Sequence, residues 1–362
     1  MQIKSFTKDD TLIYKGIGIL LIVFHNFFHW MQPLDSKENE WDFAPERIMD
    51  FFHAIVQYPF DCFNSLFAFF GHFGVQLFIF ISGIGLALSM QHKTRELKVF
   101  MVERLKKLYP LLIMGFVFLF FYAIILDHRM LLWHRYLEFL YKLLFVHTFI
   151  SKSGVSLSGP WWFFGLIFQL YVLFPLLFKV IKKYNIKAFV FICLGSYLWI
   201  YISQYIYAPG GSVYLLQNAP GHLPEFAFGI LLALNPGKRI HFSWVLLSLI
   251  LFSLGNFYKP FFPLTFLSVT VVMYWTLSKI IPFILNKTQR LKTVLFYYGS
   301  ISMIIFVIHG ELRPPFLGIS GEFWLMRYFS AFLFLLAATA LSILGKVLYQ
   351  WLVNRIERLS KK

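Results

Sequence analysis

The chain has 362 residues, of which 59% are hydrophobic and only 14% are charged, whereas soluble domains carry about 25% charged residues. The 46 phenylalanines and 10 tryptophans fall in blocks long enough to cross a bilayer, so the composition excludes a soluble globular protein. The net charge of +16 does not indicate a nucleic-acid-binding protein, because the basic residues alternate with apolar segments instead of forming one solvated patch.

The sequence predicts one all-α domain over residues 1–362, a polytopic bundle of transmembrane helices with no appended soluble domain. Its two cysteines, Cys62 and Cys193, cannot form a disulfide framework and offer no metal-binding spacing. We therefore expect no metal centre. The first apolar run is too long for a cleavable signal peptide, so we interpret it as a span.

Apolar segments of membrane-spanning length recur along the whole chain. A span needs about 20 apolar residues. On this length the sequence predicts ten spans, near residues 12–31, 66–90, 108–126, 160–181, 187–207, 220–235, 242–257, 261–281, 292–310 and 323–350. The segment YLEFLYKLLFVHTFI (136–150) contains charged residues, and we interpret it as an interfacial or re-entrant helix.

The distribution of basic residues predicts the orientation. Ten spans place both chain ends on one side, and most of the 33 Lys and Arg residues then fall on that same side, which the positive-inside rule makes cytoplasmic. The opposite side receives most of the 17 acidic residues, many of them in DSKENEWDFAPERIMD (35–50). The sequence therefore predicts an extracytoplasmic loop region at 32–65 and a multi-pass protein of the cytoplasmic (inner) membrane of a bacterium.

Titratable side chains gather toward the predicted outer face. His25 and His29 lie in the outer half of the first span, within FHNFFHW (24–30), and the set also includes His72, His222, Glu225, His309, Glu311 and Arg313. Polar residues at membrane depth are costly and usually functional, and histidine accepts a proton near neutral pH. The set predicts a site that activates a hydroxyl group. The alternative is that the rings rest at the membrane interface, as Trp and Tyr do.

Basic residues concentrate on the predicted inner face, in RELKVFMVERLKKLYP (95–110). Arginine and lysine are the usual partners of phosphate oxygens, so Arg104 and Lys107 are candidates for binding an anionic donor. The alternative is that this segment is the positive-inside signal itself and has no ligand.

Two spans contain residues suited to close packing or to ligand contact. In FGHFGVQLFIFISGIGLALSM (70–90), glycines surround Ser82, which favours close helix packing over a nucleophilic serine. In GPWWFFGLIFQLYVLFPLL (159–177), Trp161 and Trp162 stand at the predicted outer interface. They would stack on a sugar ring or anchor the span. Gln169 lies deeper, where its amide needs a partner.

These segments, in this order, resemble the acyltransferase-three family of integral-membrane enzymes that O-acylate carbohydrates and related acceptors. The resemblance covers nearly the whole chain. It depends on KGIGILLIVFH, GVQLFIFISGIGL, RLKKLYP, WWFFGLIFQLYVLFPLL, LPEFAFGILLA and YYGSISMIIFVIH. It implies a cytoplasmic acyl-coenzyme A donor, whose phosphates would meet Lys15, Arg104 and Lys107, and an acceptor sugar hydroxyl served by His25.

The first span departs from the family pattern, which is an arginine followed eleven positions later by a histidine. Here Lys15 replaces the arginine, Asn26 occupies the eleventh position, and His25 comes one residue earlier. On an ideal helix His25 then points about 80° away from Lys15, and His29 about 40° away. Either the helix is locally wound at Gly16 and Gly18, or a different histidine acts.

We interpret the protein as an O-acyltransferase, most simply an O-acetyltransferase, that acts on a surface or lipid-linked polysaccharide. Membrane lipid, the carbohydrate acceptor and acyl-CoA (a co-substrate, with no permanently bound cofactor) are the expected partners, and no nucleic acid is expected. His25 is the preferred general base. The full candidate sets are His25, His29, Glu225 and His309 for catalysis, and Lys15, Asn26, His72, Ser82, Arg104, Lys107, Trp161, Trp162, Gln169, Glu311 and Arg313 for substrate or donor binding.

Two other classes of protein stay open on the sequence. One is a transporter or flippase for a glycolipid or small solute, with the histidines as a proton relay. Transporters often contain internal repeats, and we find none between the two halves. The other is a scaffold or sensor without catalysis. The acceptor, the acyl chain, the route of the acyl group and the oligomeric state are left open, and segment 32–65 is either an acceptor-selecting segment or a plain interfacial loop.

Overall fold

The computed structural model describes residues 6–35, 38–92, 96–125, 133–150, 156–206, 214–238, 240–321 and 323–359. These residues form α-helices and short 3-10 helices, with no β-strand among them. The α-helices are α1 (Lys8–Phe28), α2 (Glu46–Gln57), α3 (Cys62–Phe70), α4 (Gly74–His92), α5 (Leu97–Ile125), α6 (Trp133–Leu143), α7 (Trp162–Tyr184), α8 (Ile186–Ile206), α9 (Ala219–Leu234), α10 (Phe242–Phe257), α11 (Thr265–Lys287), α12 (Gln289–Leu312), α13 (Pro314–Ile319) and α14 (Trp324–Leu359).

Eight helical segments in the described residues are long and apolar enough to cross a membrane. They are Lys8–Phe28, Pro59–Gln91, Leu97–Ile125, Gly159–Tyr184, Ile186–Ser203, Lys259–Phe283, Gln289–Leu312 and Trp324–Ile356. The helices α9 and α10 are apolar but have only 16 residues each, and they correspond to the sixth and seventh predicted spans. The all-α polytopic membrane fold predicted from the sequence is confirmed.

Segment 32–65, which the sequence predicts as an extracytoplasmic loop region, contains helix α2 and the start of α3. α2 buries Ile48, Phe51 and Ala54, which recur every three residues along one helix face. Met49 and Phe52, on the neighbouring face, are exposed. This amphipathic pattern explains why a segment rich in charge still forms a helix.

A capping box fixes the start of α1. The Thr7 hydroxyl accepts a hydrogen bond from the Asp10 amide at 3.1 Å, and the Asp10 carboxylate accepts one from the Thr7 amide at 2.8 Å. These reciprocal bonds satisfy amide groups that a helix N-terminus leaves without intrahelical partners. α1 then continues without a break to Phe28, and His29 is its C-cap residue.

The chain divides into two compact units. Unit 1 comprises Met1–Thr94, Leu173–Gly211 and Asn218–Ser300, and unit 2 comprises Arg95–Val172, Ser212–Gln217 and Ile301–Lys362.

Glycines allow the helices of unit 1 to approach very closely. A Cβ on Gly83 of α4 would collide with the Phe226 carbonyl of α9, and a Cβ on Gly229 of α9 would collide with the Phe80 carbonyl of α4. Gly74 meets the backbone of α1 in the same way at Gly18. These small-residue contacts, typical of helix packing in membranes, hold α1 and α9 on either side of the predicted second span.

Unit 2 packs around the indole of Trp161. This side chain is fully buried, and its Nε1–H donates a hydrogen bond to the Val307 carbonyl of α12 at 2.8 Å. A Cβ on Gly115 of α5 would collide with the side chains of Trp161 and Val307, so the glycine leaves room for both. Gly345 of α14 similarly lies against Ile304.

Candidate active site

His25 lies on the buried face of α1, with only 5% of its surface exposed. Its Nδ1 is 3.0 Å from the Ala68 carbonyl oxygen and 3.3 Å from that of Phe67. Carbonyl oxygens only accept hydrogen bonds, so Nδ1 carries the proton and Nε2 keeps its lone pair. Gly71 makes this arrangement possible, because a Cβ there would collide with His25 and with the Leu21 carbonyl.

His29, one helical turn beyond His25, forms a hydrogen bond with Glu38. Its Nδ1 lies 2.8 Å from Glu38 Oε2, and the His25 and His29 ring centroids are 5.4 Å apart. Burial alone would raise the pKa of the Glu38 carboxyl, but the hydrogen bond from His29 outweighs burial, and the pKa is lowered to about 2. Glu38 is therefore an anion at neutral pH.

The segment after α1 holds Glu38 in place through its backbone. Arg47 Nη1 donates a hydrogen bond to the Glu38 carbonyl at 2.8 Å, and Arg47 Nη2 forms an ion pair with Asp42 at 3.0 Å. The neighbouring Asn39 accepts a hydrogen bond from the Ala44 amide at 3.0 Å. Glu38 was missed by the sequence analysis, because one acidic residue in an acidic segment carries no signal of its own.

His72 completes a group that we call the histidine cluster: His25, His29, His72 and Glu38. The His72 ring centroid is 5.4 Å from that of His25, and the side chain is 98% buried (2% exposed). Neither ring nitrogen of His72 makes a hydrogen bond of normal geometry with the described residues. A buried imidazole without such a bond is destabilising by about 1–3 kcal/mol, and binding of a polar ligand would satisfy it.

Three other predicted residues of unit 1 lie outside this cluster. Asn26 donates a hydrogen bond to the Ile22 carbonyl of its own helix at 3.0 Å. Lys15 is partly exposed and lies ten residues, or about 15 Å, before His25 along α1. Ser82 is half-buried within α4, where the adjacent Gly83 forms the close contact with α9.

Glu225 pairs with His222 instead of with the histidine cluster. His222 Nδ1 is 3.1 Å from Glu225 Oε1, and the two side chains are 2% and 0% exposed. The second oxygen, Glu225 Oε2, has no hydrogen-bond partner among the described residues. The His222 ring also packs against Phe266 of α11 at 5.3 Å. The pair is thus a second buried titratable group of unit 1.

In unit 2, Arg104 presents its guanidinium between two aromatic rings. The guanidinium carbon is 5.3 Å from the Phe100 ring centroid and 6.0 Å from that of Tyr171. Arg104 Nη2 is 3.5 Å from the Glu103 carboxylate, and its Nε is buried without a hydrogen-bond partner among the described residues. Lys107 is exposed on the same helix. Arg95, in the same basic segment, lies outside the described residues.

The predicted tryptophans and glutamine are packed inside unit 2. Trp161 is fully buried, and Trp162 is 4% exposed. Both indoles therefore contribute to the interior of the unit, and neither presents an open face for a sugar ring. Gln169 donates a hydrogen bond to the Thr148 hydroxyl at 3.1 Å, which supplies the partner that its depth in the span requires. His147, next to Thr148, is also fully buried.

The remaining predicted residues lie at the end of α12 and just beyond it. His309 is fully buried, and its Nδ1 is 3.0 Å from the Ile305 carbonyl oxygen. Arg313 follows the helix, and burial lowers the pKa of its guanidinium to about 10, although the Glu311 carboxylate acts in the opposite direction. Ser158 lies against Gly310. These side chains form a polar end to the helix.

Comparison with known proteins identifies the family. A family model described as an acyltransferase domain matches residues 13–351. No curated protein and no solved structure matches the chain. The matched range runs through nearly all of the candidate spans and contains the whole histidine cluster. The chain therefore belongs to the acyltransferase-three family and is a multi-pass membrane acyltransferase.

Proposed function

We propose that the protein transfers an acyl group, most simply acetyl, from cytoplasmic acyl-CoA to a hydroxyl of an extracytoplasmic or lipid-linked polysaccharide. The proposed location is the cytoplasmic membrane of a bacterium, with both chain ends inside. Acyl-CoA is a co-substrate in this proposal and not a permanently bound cofactor. The observation that carries it is the orientation of His25, whose Nδ1 is held by two backbone carbonyls.

His25 acts as the general base. Its Nε2 takes the proton of the acceptor hydroxyl while the hydroxyl oxygen attacks the thioester carbonyl carbon. The tetrahedral intermediate collapses, the carbon–sulfur bond breaks, and coenzyme A leaves as a thiolate that takes a proton from the His25 imidazolium. An ester and free coenzyme A result, and His25 returns to its neutral state.

Glu38 supports this proton transfer without touching the reacting atoms. A positive charge develops on His25 in the transition state, and the buried Glu38 carboxylate provides the balancing negative charge. His29, hydrogen-bonded to Glu38, holds the carboxylate in position. His72, whose buried ring lies against His25, is suited to hydrogen-bond the incoming sugar hydroxyl.

The donor is assigned to the basic residues that the sequence predicts on the inner face. Arg104 is the strongest candidate, because its largely buried guanidinium lies near two aromatic rings and its Nε lacks a hydrogen-bond partner in the described part of the chain. Guanidinium groups bind phosphate oxygens through two parallel hydrogen bonds. Lys107, on the same helix, would add positive charge near the diphosphate of coenzyme A, and the family resemblance gives Lys15 a role in binding the same donor.

The test is acyl transfer from labelled acetyl-CoA by purified protein in the presence of a cell-surface polysaccharide fraction. We expect His25→Gln to lower the rate by about 10²–10⁴-fold, the usual contribution of a general base, and Glu38→Gln to lower it less. His53→Gln is the matched control, since His53 is an exposed histidine on α2. Wild-type turnover by His25→Gln together with a large loss in His29→Gln would assign the base to His29 instead.

A transporter with a histidine proton relay is the second candidate function. The buried His222–Glu225 pair favours it, because a carboxylate and an imidazole 3.1 Å apart can share and pass on one proton. Proteoliposomes containing the protein would acidify internally in response to an imposed proton gradient and a solute, and Glu225→Gln would abolish this uptake. Acyl transfer by the purified protein without any such uptake would exclude the relay.

A further inference from the structure

The histidine cluster also has the donor set of a transition-metal site. One ligand atom from each of His25, His29 and Glu38 lies within 4.8 Å of the other two. Zinc binds imidazole nitrogen and carboxylate oxygen at about 2.0–2.2 Å in tetrahedral geometry, which places ligand atoms about 3.4 Å apart. Bringing these three side chains to zinc-binding distances therefore needs changes of at most about 1.4 Å in the separations of their ligand atoms. The widest separation would shorten, and the 2.8 Å separation of His29 Nδ1 and Glu38 Oε2 would lengthen slightly.

The surroundings of these side chains are those of a metal ligand shell. Metal-binding histidines usually donate their second N–H to a backbone carbonyl or a carboxylate, which fixes the ring. His25 Nδ1 makes this contact with the Ala68 carbonyl. Glu38 supplies one negative charge, and its backbone is held by Arg47. His25 and His29 are also four residues apart on one helix, which places both rings on the same side.

His72 provides an independent observation that a ligand belongs here. This imidazole is almost completely buried, lies next to His25, and has no hydrogen-bond partner on either nitrogen in the described part of the chain. Proteins rarely leave such a buried polar group without a hydrogen-bond partner. A metal ion in the cluster would accept one His72 nitrogen as its fourth ligand, or would hold a water molecule against it.

We propose that His25, His29 and Glu38 bind a divalent ion of the zinc type, with His72 at the fourth position, and that the bound ion inhibits acyl transfer. Imidazole and carboxylate together suit zinc, copper and nickel better than calcium or magnesium. The inhibition follows because the ion occupies the same Nε2 lone pair that removes the proton from the acceptor hydroxyl. Metal binding stands on the geometry alone, whereas the inhibition rests on the proposed function.

The test of binding uses the full-length protein in detergent with its affinity tag removed. Titration with Co²⁺ should give the visible absorption bands of a four-coordinate site with one ion per chain, and Zn²⁺ should displace it. Glu38→Gln and His72→Gln should each weaken binding by about 10–100-fold, while the exposed His53→Gln should leave it unchanged. No spectrum at any Co²⁺ concentration below millimolar, or equal affinity in Glu38→Gln and wild type, would overturn the site.

The test of inhibition is separate. Zn²⁺ should reduce acetyl transfer by the wild-type protein over the concentration range in which it displaces Co²⁺, and a chelator should restore the rate. Binding with full transfer activity would overturn the inhibition. If no acceptor supports transfer at all, the proposed function fails, but the Co²⁺ spectrum still decides whether the metal site exists.

Discussion

Lys142 of α6 offers a quantitative test of the structure. Its side chain is fully buried, although α6 lies outside the candidate spans. Burial lowers the pKa of its ammonium group from 10.5 to about 7, while the nearby Glu138 carboxylate favours the charged form. His147 also faces it, but burial and then the Lys142 charge lower the pKa of that imidazole to about 3. His147 therefore stays neutral above pH 7.

The difference between the two pKa values, 10.5 − 7 = 3.5 units, corresponds to about 5 kcal/mol at 1.36 kcal/mol per unit. Between pH 7 and pH 10.5 the unfolded chain binds a proton on Lys142 that the folded protein does not bind. The free energy of unfolding therefore rises with pH across this window. Below pH 7 the full penalty of burying the charge applies.

We expect Lys142→Met to remove this penalty. The variant should be more stable than the wild type at pH 7, by up to about 5 kcal/mol, and the difference should shrink as the pH approaches 10.5. The measurement is thermal unfolding of both proteins in one detergent at pH 7, 8, 9 and 10. Lys98→Met, at an exposed position, is the control. Parallel stability curves for Lys142→Met and wild type would refute the burial of this ammonium group.

Three further predictions concern packing, donor binding and lipid contact. Gly229→Ala should lower the stability of the protein in thermal unfolding by about 1–3 kcal/mol, because the new Cβ would meet backbone atoms that cannot shift without strain. Gly195→Ala is the control and should not lower the stability, because its Cβ would meet nothing within 4 Å. Arg104→Gln should raise KM for acetyl-CoA about tenfold, because one charge-assisted hydrogen bond is lost, while kcat should stay nearly unchanged. An equal rise of KM in Lys98→Gln would show that general surface charge, and not Arg104 itself, attracts the donor. An environment-sensitive fluorophore attached at Phe52→Cys should emit as it does in an apolar solvent and should be quenched by a quencher carried in the lipid. Emission like that in water would contradict membrane contact of α2.

The spans could be predicted because length and hydropathy are local properties of the sequence. Each of the ten predicted segments coincides with an apolar helix, and those at 220–235 and 242–257 give the shortest ones, α9 and α10. The helical character of 32–65 was missed, because the charged residues of that segment masked the three-residue apolar repeat of α2.

The candidate site was predictable in part. The position of His25 and His29 in one span was visible in the sequence, as was the second-span position of His72. Glu38 was not, since its role depends on the chain folding back after α1, which no local pattern records. Glu225 was predicted as a catalytic candidate from its depth in a span, and its pairing with His222 at the i−3 position could also have been read from their spacing on one helix.

The one-residue departure from the family pattern in the first span has a structural explanation in the packing of α1. Position 26, which aligns with Lys15 on an ideal helix to within about 20°, bears an asparagine that donates a hydrogen bond to the Ile22 carbonyl one turn earlier in α1. His25 instead shares the buried face with Gly18 and Ile22, the face that meets Gly71 and Gly74. The direction of the imidazole is therefore set by the small residues of the second span. Lys15 and His25 need not share one helix face, provided that the anionic donor and the hydroxyl reach α1 from different sides.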